Sequence, residues 1–163
     1  MSSNPNRKDP FQFADSSRVE RILSQYPEKR SAVLPLLHLV QSQEGYIPAE
    51  GVNAVATIVG AHPAEIMDAV SFYARFHTEP QGKYILQVCQ TLPCSLNGAD
   101  ELVDHVCRKY HIEPGETTED GRFTLRKVEC LGSCGTAPVV QINDDYHEGL
   151  SPNEFDKLLE SLP

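Results

Sequence analysis

A chain of 163 residues is long enough for one ordinary domain, or for a small domain with a helical appendage, and its 40% apolar and 23% charged residues mark it as globular rather than disordered. Its formal net charge of −9 argues against a sequence-independent grip on nucleic acid, which draws its affinity from Lys and Arg on phosphates, and against docking on anionic lipid. No run approaches the ~18 consecutive apolar residues of a membrane span. The first residues, MSSNPNRKDPFQFADSS, lack an apolar signal core, so the expected setting is cytoplasmic.

Residues 1–14 read as a polar, Pro-containing flexible arm. The next stretch, 15–77, is helical in period and predicts a small helical bundle. Val19, Ile22, Leu23 and Tyr26 form the apolar stripe of a first helix, capped by Asp15 or a following Ser and ended by Pro27. SAVLPLLHLVQSQEGYI predicts a mostly buried second helix whose Pro35 requires a start just upstream or a kink, with Gly45 past its end. A third begins near Pro48 and exits at Gly60, with Gly51 weakening it. The fourth opens with Pro63. The aromatics of SFYARF, residues 71–76, are expected to pack in the core.

After HTEPQG the period changes. KYILQVC predicts a strand, and NGADELVDHVCRKYHI a helix with Leu102, Val103, Val106, Cys107 and Tyr110 on its stripe. RFTLRKVEC predicts a half-buried strand showing Phe123, Leu125 and Val128 to a core, and APVVQIN another β-branched run. A turn with a short strand and a terminal helix, with Ser151 at its N-cap and Pro152 at its first position, complete a small α/β (α+β) sandwich over 78–163.

Four of the five cysteines fall in two tight pairs, CQTLPC (Cys89 and Cys94) and CLGSC (Cys130 and Cys134). Each pair follows a predicted strand and is expected in a loop with Pro93, Gly132 or Gly135. In a reducing compartment such pairs are metal ligands or redox thiols more often than disulfides. Structural zinc accepts these spacings, although the domain has a core of its own and does not need a metal to fold. Thiol–disulfide exchange wants C-x2-C at a helix N-terminus, which neither pair provides. A 2Fe–2S cluster needs four thiolates, two for each iron, and two pairs deliver them in neither common ferredoxin spacing. Backbone N–H groups near glycine, with Thr91, Leu92, Gly132, Ser133 and Gly135, are candidates to surround the sulfurs. Cys107, on an apolar stripe, reads as structural filler. The six histidines form no H-E-x-x-H and read as surface or capping residues. No G-x-G-x-x-G after a strand and no G-x4-G-K-[ST] is present, so no nucleotide site is expected here.

GYIP, SFYARF, VCQTLPC and ECLGSCGTAPVVQIN together resemble the thioredoxin-like 2Fe–2S subunit, the E type in bacteria, of NADH:quinone oxidoreductase (complex I), with relatives in NAD-reducing hydrogenases and NAD-dependent formate dehydrogenases. The resemblance spans roughly residues 15–162. It implies a helical N-terminal domain followed by a thioredoxin-like ferredoxin domain. It also implies one 2Fe–2S cluster, with Cys89 and Cys94 on one iron and Cys130 and Cys134 on the other. The implied role is one-electron transfer beside a flavoprotein subunit that carries NADH and FMN, with part of SFYARF a candidate contact to it, among further peripheral-arm subunits on the cytoplasmic face of the membrane. The same subunit of a hydrogenase or formate dehydrogenase is the alternative. A colourless zinc-binding interaction module is the rival from another class.

Overall fold

The structure is a computed structural model and describes residues 11–163. The arm expected over 1–14 lies largely outside these residues. Its described part is tied down: Gln43 accepts the Ala14 N–H and donates to the Gln12 carbonyl, while Phe11 and Phe13 pack against a helical core. The chain divides into two compact units between Pro80 and Gln81.

The first unit holds α1 (Ser16–Ser24), α2 (Val33–Glu44), α3 (Ala49–Val59) and α4 (Pro63–Phe72). Asp15 caps α1 by accepting the Arg18 N–H. Pro35 is accommodated because a 3-10 turn, Lys29–Ala32, leads directly into α2, leaving the proline in the first helical turn where no N–H is needed. Pro48 serves α3 from the N-cap rather than inside the helix. The ring of His62 caps α4, and Glu65 returns a bond to the His62 N–H. Gly51 has a packing reason: a Cβ there would stand 2.6 Å from Val40 Cγ1, so α2 and α3 meet where only hydrogen fits.

The SFYARF segment departs from expectation. Only Phe76 is buried, at 6% exposure, whereas Phe72 is 79% exposed. The cause is local: α4 stops at Phe72 and the chain turns extended at Tyr73, which throws the first two rings outward.

The second unit is a four-stranded sheet in the order β2-β1-β3-β4, with helices α5 (Leu92–Leu96), α6 (Ala99–Tyr110) and α7 (Pro152–Ser161). The central strand β1 (Tyr84–Cys89) runs parallel to β2 (Phe123–Val128) from Tyr84 opposite Phe123 to Cys89 opposite Val128. It runs antiparallel to β3 (Val139–Ile142), which pairs in turn with β4 (Asp145–Glu148). Phe123, Thr124 and Leu125 are all buried, so β2 begins two-sided rather than alternating; the Thr124 hydroxyl is satisfied by the Gly82 N–H and by Thr117. Leu102 and Val106 of α6 and Phe155 and Leu159 of α7 share one core with Leu86 and Leu125. Ser151 and Glu154 form a reciprocal cap on α7.

Replacing a helix-interior glycine by alanine normally stabilises by ~1 kcal/mol. Gly51→Ala is expected to do the reverse, lowering stability by ~1–3 kcal/mol because the stiff, buried Val40 cannot move aside. Adding Val40→Ala should recover part of that loss in urea unfolding. An unchanged or raised midpoint for Gly51→Ala alone would contradict the close α2–α3 contact.

Candidate metal centre

Parallel pairing sets the site. Because β1 and β2 end level, with Cys89 opposite Val128, the segments that follow them leave the same end of the sheet. β3 starts at that end too, since Val88 lies opposite Val140. Cys89 is the last residue of β1, and Cys94 sits within α5. Cys130 lies just beyond β2, and Cys134 opens a 3-10 turn, Cys134–Thr136. Cys89 thus closes the strand expected of KYILQVC, while the expectation of a plain loop is corrected for Cys94 and Cys134. Thr91 at the N-cap, whose carbonyl accepts the Cys94 and Ser95 N–H groups, and Pro93 in the first turn make a short helix of what read as a loop.

The pairs differ in exposure. Cys89 and Cys94 are each 1% exposed, while Cys130 and Cys134 face solvent. Among the described residues, no three His, Cys, Asp or Glu side chains are arranged to hold one ion. The sulfurs are presented as pairs, Cys89 and Cys94 close enough to shift one another's titration, and Cys130 Sγ 3.7 Å from Cys134 Sγ. Two sulfurs on one tetrahedral metal, with bonds of ~2.3 Å, stand roughly that far apart.

Donors surround the thiols. Thr91 Oγ1 is 3.1 Å from Cys89 Sγ, and the Gly132 N–H donates to Cys130 Sγ at 3.3 Å. Gly132 has φ +87°, a left-handed conformation that glycine adopts without strain. Two further backbone groups that sequence reading did not single out favour the thiolates, the Leu131 N–H that of Cys89 and the Val139 N–H that of Cys94. Of the remaining candidates, Leu92 is 69% exposed, and the Ser133 hydroxyl engages Thr136 and the Glu148 carboxylate. Gly135 has open space around its Cα. Cys107 packs against the core of this unit, where burial pushes its thiol pKa up.

The electrostatics suit bound cations. Burial pushes Cys89 up, but the Thr91 hydroxyl and the Thr91 and Leu131 N–H groups outweigh it and leave the thiol below its ordinary value. Burial and then the bond with Cys89 raise Cys94, and the negative charge of Cys134 adds to this. Cys134 is raised by its bond to Cys130 and by the charges of Cys130 and Cys89. Thiolates close enough to repel one another gain most from metal between them.

The model of the thioredoxin-like [2Fe-2S] ferredoxin family matches residues 19–163. The chain belongs to that family. Its 2Fe–2S cluster fits the donors present: four sulfurs in two pairs, with N–H groups aimed at three of them. Family membership also decides against the zinc and dithiol readings that the cysteine spacing had left open. NADH-quinone oxidoreductase subunit 2 of Thermus thermophilus is 46% identical over 147 residues, covering 88% of this chain and 81% of that one. The E subunit of NADH-quinone oxidoreductase from Rickettsia conorii is 42% identical over 155 residues, 93% of each chain. Among solved structures, an NAD+-reducing [NiFe]-hydrogenase superposes with TM-score 0.69 at 28% identity, over 78% of this chain but only 22% of that one. This ferredoxin-family chain therefore spans about a fifth of the hydrogenase chain it matches.

Cys130→Ala is expected to bleach or destabilise the cluster spectrum, and Cys107→Ala to leave it intact. Visible absorption of the two purified variants checks this. Loss of colour on Cys107→Ala would overturn the ligand assignment.

Proposed function

We propose that this chain is the one-electron carrier of a multi-subunit NADH-quinone oxidoreductase, with Cys89 and Cys94 as ligands of one iron and Cys130 and Cys134 of the other. What supports the reading is that the segments bearing both thiol pairs leave the same end of the sheet, in a chain 42–46% identical to subunits of that enzyme. Bound there, the cluster accepts and returns single electrons. The chain's residues do the rest. The four thiolates hold the irons, and the N–H groups of Leu131, Gly132 and Val139 favour added negative charge on the sulfurs. Burial of Cys89 and Cys94 keeps water from one side, while exposed Cys130 and Cys134 leave the other open to a redox partner.

That partner is a flavoprotein subunit carrying NADH and FMN, because hydride chemistry requires a flavin and a nicotinamide and this chain has no motif for either. Leu92 and Leu96, 69% and 76% exposed, flank Cys94 on α5 and give the site an apolar rim suited to a protein partner. Among the described residues no helix is long and apolar enough to cross a membrane. In this reading the chain sits with further peripheral-arm subunits at the cytoplasmic face of the membrane. The hydrogenase match favours a second reading, the equivalent part of an NAD-reducing hydrogenase, at the lower identity of 28%.

The pure subunit is expected not to oxidise NADH with an artificial acceptor, and to do so only when combined with the flavoprotein; oxidation by the subunit alone would sink this division of labour. Burying a leucine is worth ~1.5–3 kcal/mol. The double substitution Leu92→Asp, Leu96→Asp should therefore weaken flavoprotein binding at least about tenfold with the cluster spectrum unchanged. Unaltered binding would place the interface elsewhere.

A further inference from the structure

β4 touches the exposed ligand segment twice. The Tyr146 hydroxyl donates to the Leu131 carbonyl at 2.9 Å, and the Glu148 carboxylate accepts from the Ser133 hydroxyl. These residues are two apart on the strand, so they project from the same face of the sheet.

The first contact reaches a ligand through a single rigid unit. The Leu131 carbonyl and the Gly132 N–H belong to the same peptide group, which is planar, with C=O and N–H pointing in opposite directions. One end accepts from Tyr146, and the other donates to Cys130 Sγ at 3.3 Å. A hydrogen bond on the carbonyl fixes the tilt of that plane and polarises the N–H, strengthening it as a donor. Gly132, with φ +87°, has no side chain to limit its own dihedrals, so hydrogen bonds hold the peptide plane before it.

We infer that Tyr146 is a positioning residue for the iron centre, aiming and polarising the Leu131–Gly132 peptide so that its N–H stabilises negative charge on the Cys130 sulfur. Tyr146 touches no sulfur itself. It acts only through the peptide, and by doing so raises the reduction potential, because an N–H···S bond favours the more negative, reduced state.

The inference rests on the reading of Cys130 as a ligand, and the test separates the two. EPR-monitored redox titration is carried out on the holo-protein as isolated, on Cys130→Ser, on Tyr146→Phe, and on protein with a ring-fluorinated tyrosine at position 146, whose hydroxyl is the stronger donor. Iron content and thermal midpoint are measured alongside. Tyr146→Phe should lower the potential at unchanged iron content, and the fluorinated ring should raise it. The hyperfine coupling of the exchangeable Gly132 proton should weaken in Tyr146→Phe, which bracing of β4 alone would not cause. Equal potentials in the Tyr146 variants, with a changed spectrum in Cys130→Ser, would overturn the role of Tyr146. An unchanged Cys130→Ser spectrum would overturn the ligand assignment, and this inference with it. If Tyr146→Phe lost iron, the fluorinated protein would decide alone: an upward shift supports the coupling, and no shift refutes it.

Discussion

The parallel register of β1 and β2 is the constraint on which the site depends. Side chains alternate faces along a strand, so slipping β2 by one residue would reverse which side chains meet the core and would shift the Cys130 segment relative to Cys89. The register is held from Tyr84–Phe123 to Cys89–Val128 by apolar residues that each have a place in one core, Leu86, Val88, Phe123 and Leu125 among them. Stability and chemistry are therefore linked. α6 and α7 share the core on which these strands pack, and where the strands stop determines which sulfurs can share metal.

Thiolates brought close together repel: the bond with Cys130 and the charges of Cys130 and Cys89 raise Cys134, and the charges of Cys89 and Cys134 add to the burial that raises Cys94. The fold answers with hydrogen-bond donors. Thr91 and the N–H groups of Leu131, Gly132 and Val139 supply partial positive charge at the sulfurs, spread over both pairs. Such dipoles are fixed by the backbone and need little rearrangement when an electron arrives. The two pairs also meet different surroundings, one inside the core and the other in solvent. That asymmetry suits a carrier that must be stable on one side and accessible on the other.

Much of this was legible in the sequence because it is local. Asp15, Gly45, Gly60 and Ser151 end or begin their helices as their residue types require, and the two cysteine pairs point to metal or redox chemistry, although their spacing alone left zinc open. What was not legible is carried by contacts across strands or across a short loop. The Leu131 and Val139 N–H groups carry no residue-type signal, since every non-proline residue has one, and only the fold aims them at sulfur. Tyr146 lies 15 residues from Leu131 and joins it only because β4 folds back beside β3. α5 was missed because one helical turn is too short to show a period, although Thr91 and Pro93 are its start signals. Phe72 and Tyr73 misled for the opposite reason: aromatic character suggested burial, but the end of α4 decided their direction.

The most direct test of the central claim is metal and acid-labile sulfide analysis of anaerobically prepared protein, with EPR before and after reduction by dithionite. Two irons and two sulfides per chain, with a signal from one unpaired electron appearing only on reduction, is the predicted result. One zinc per chain, no colour and no signal would contradict it and leave a metal-stabilised interaction module in place of an electron carrier.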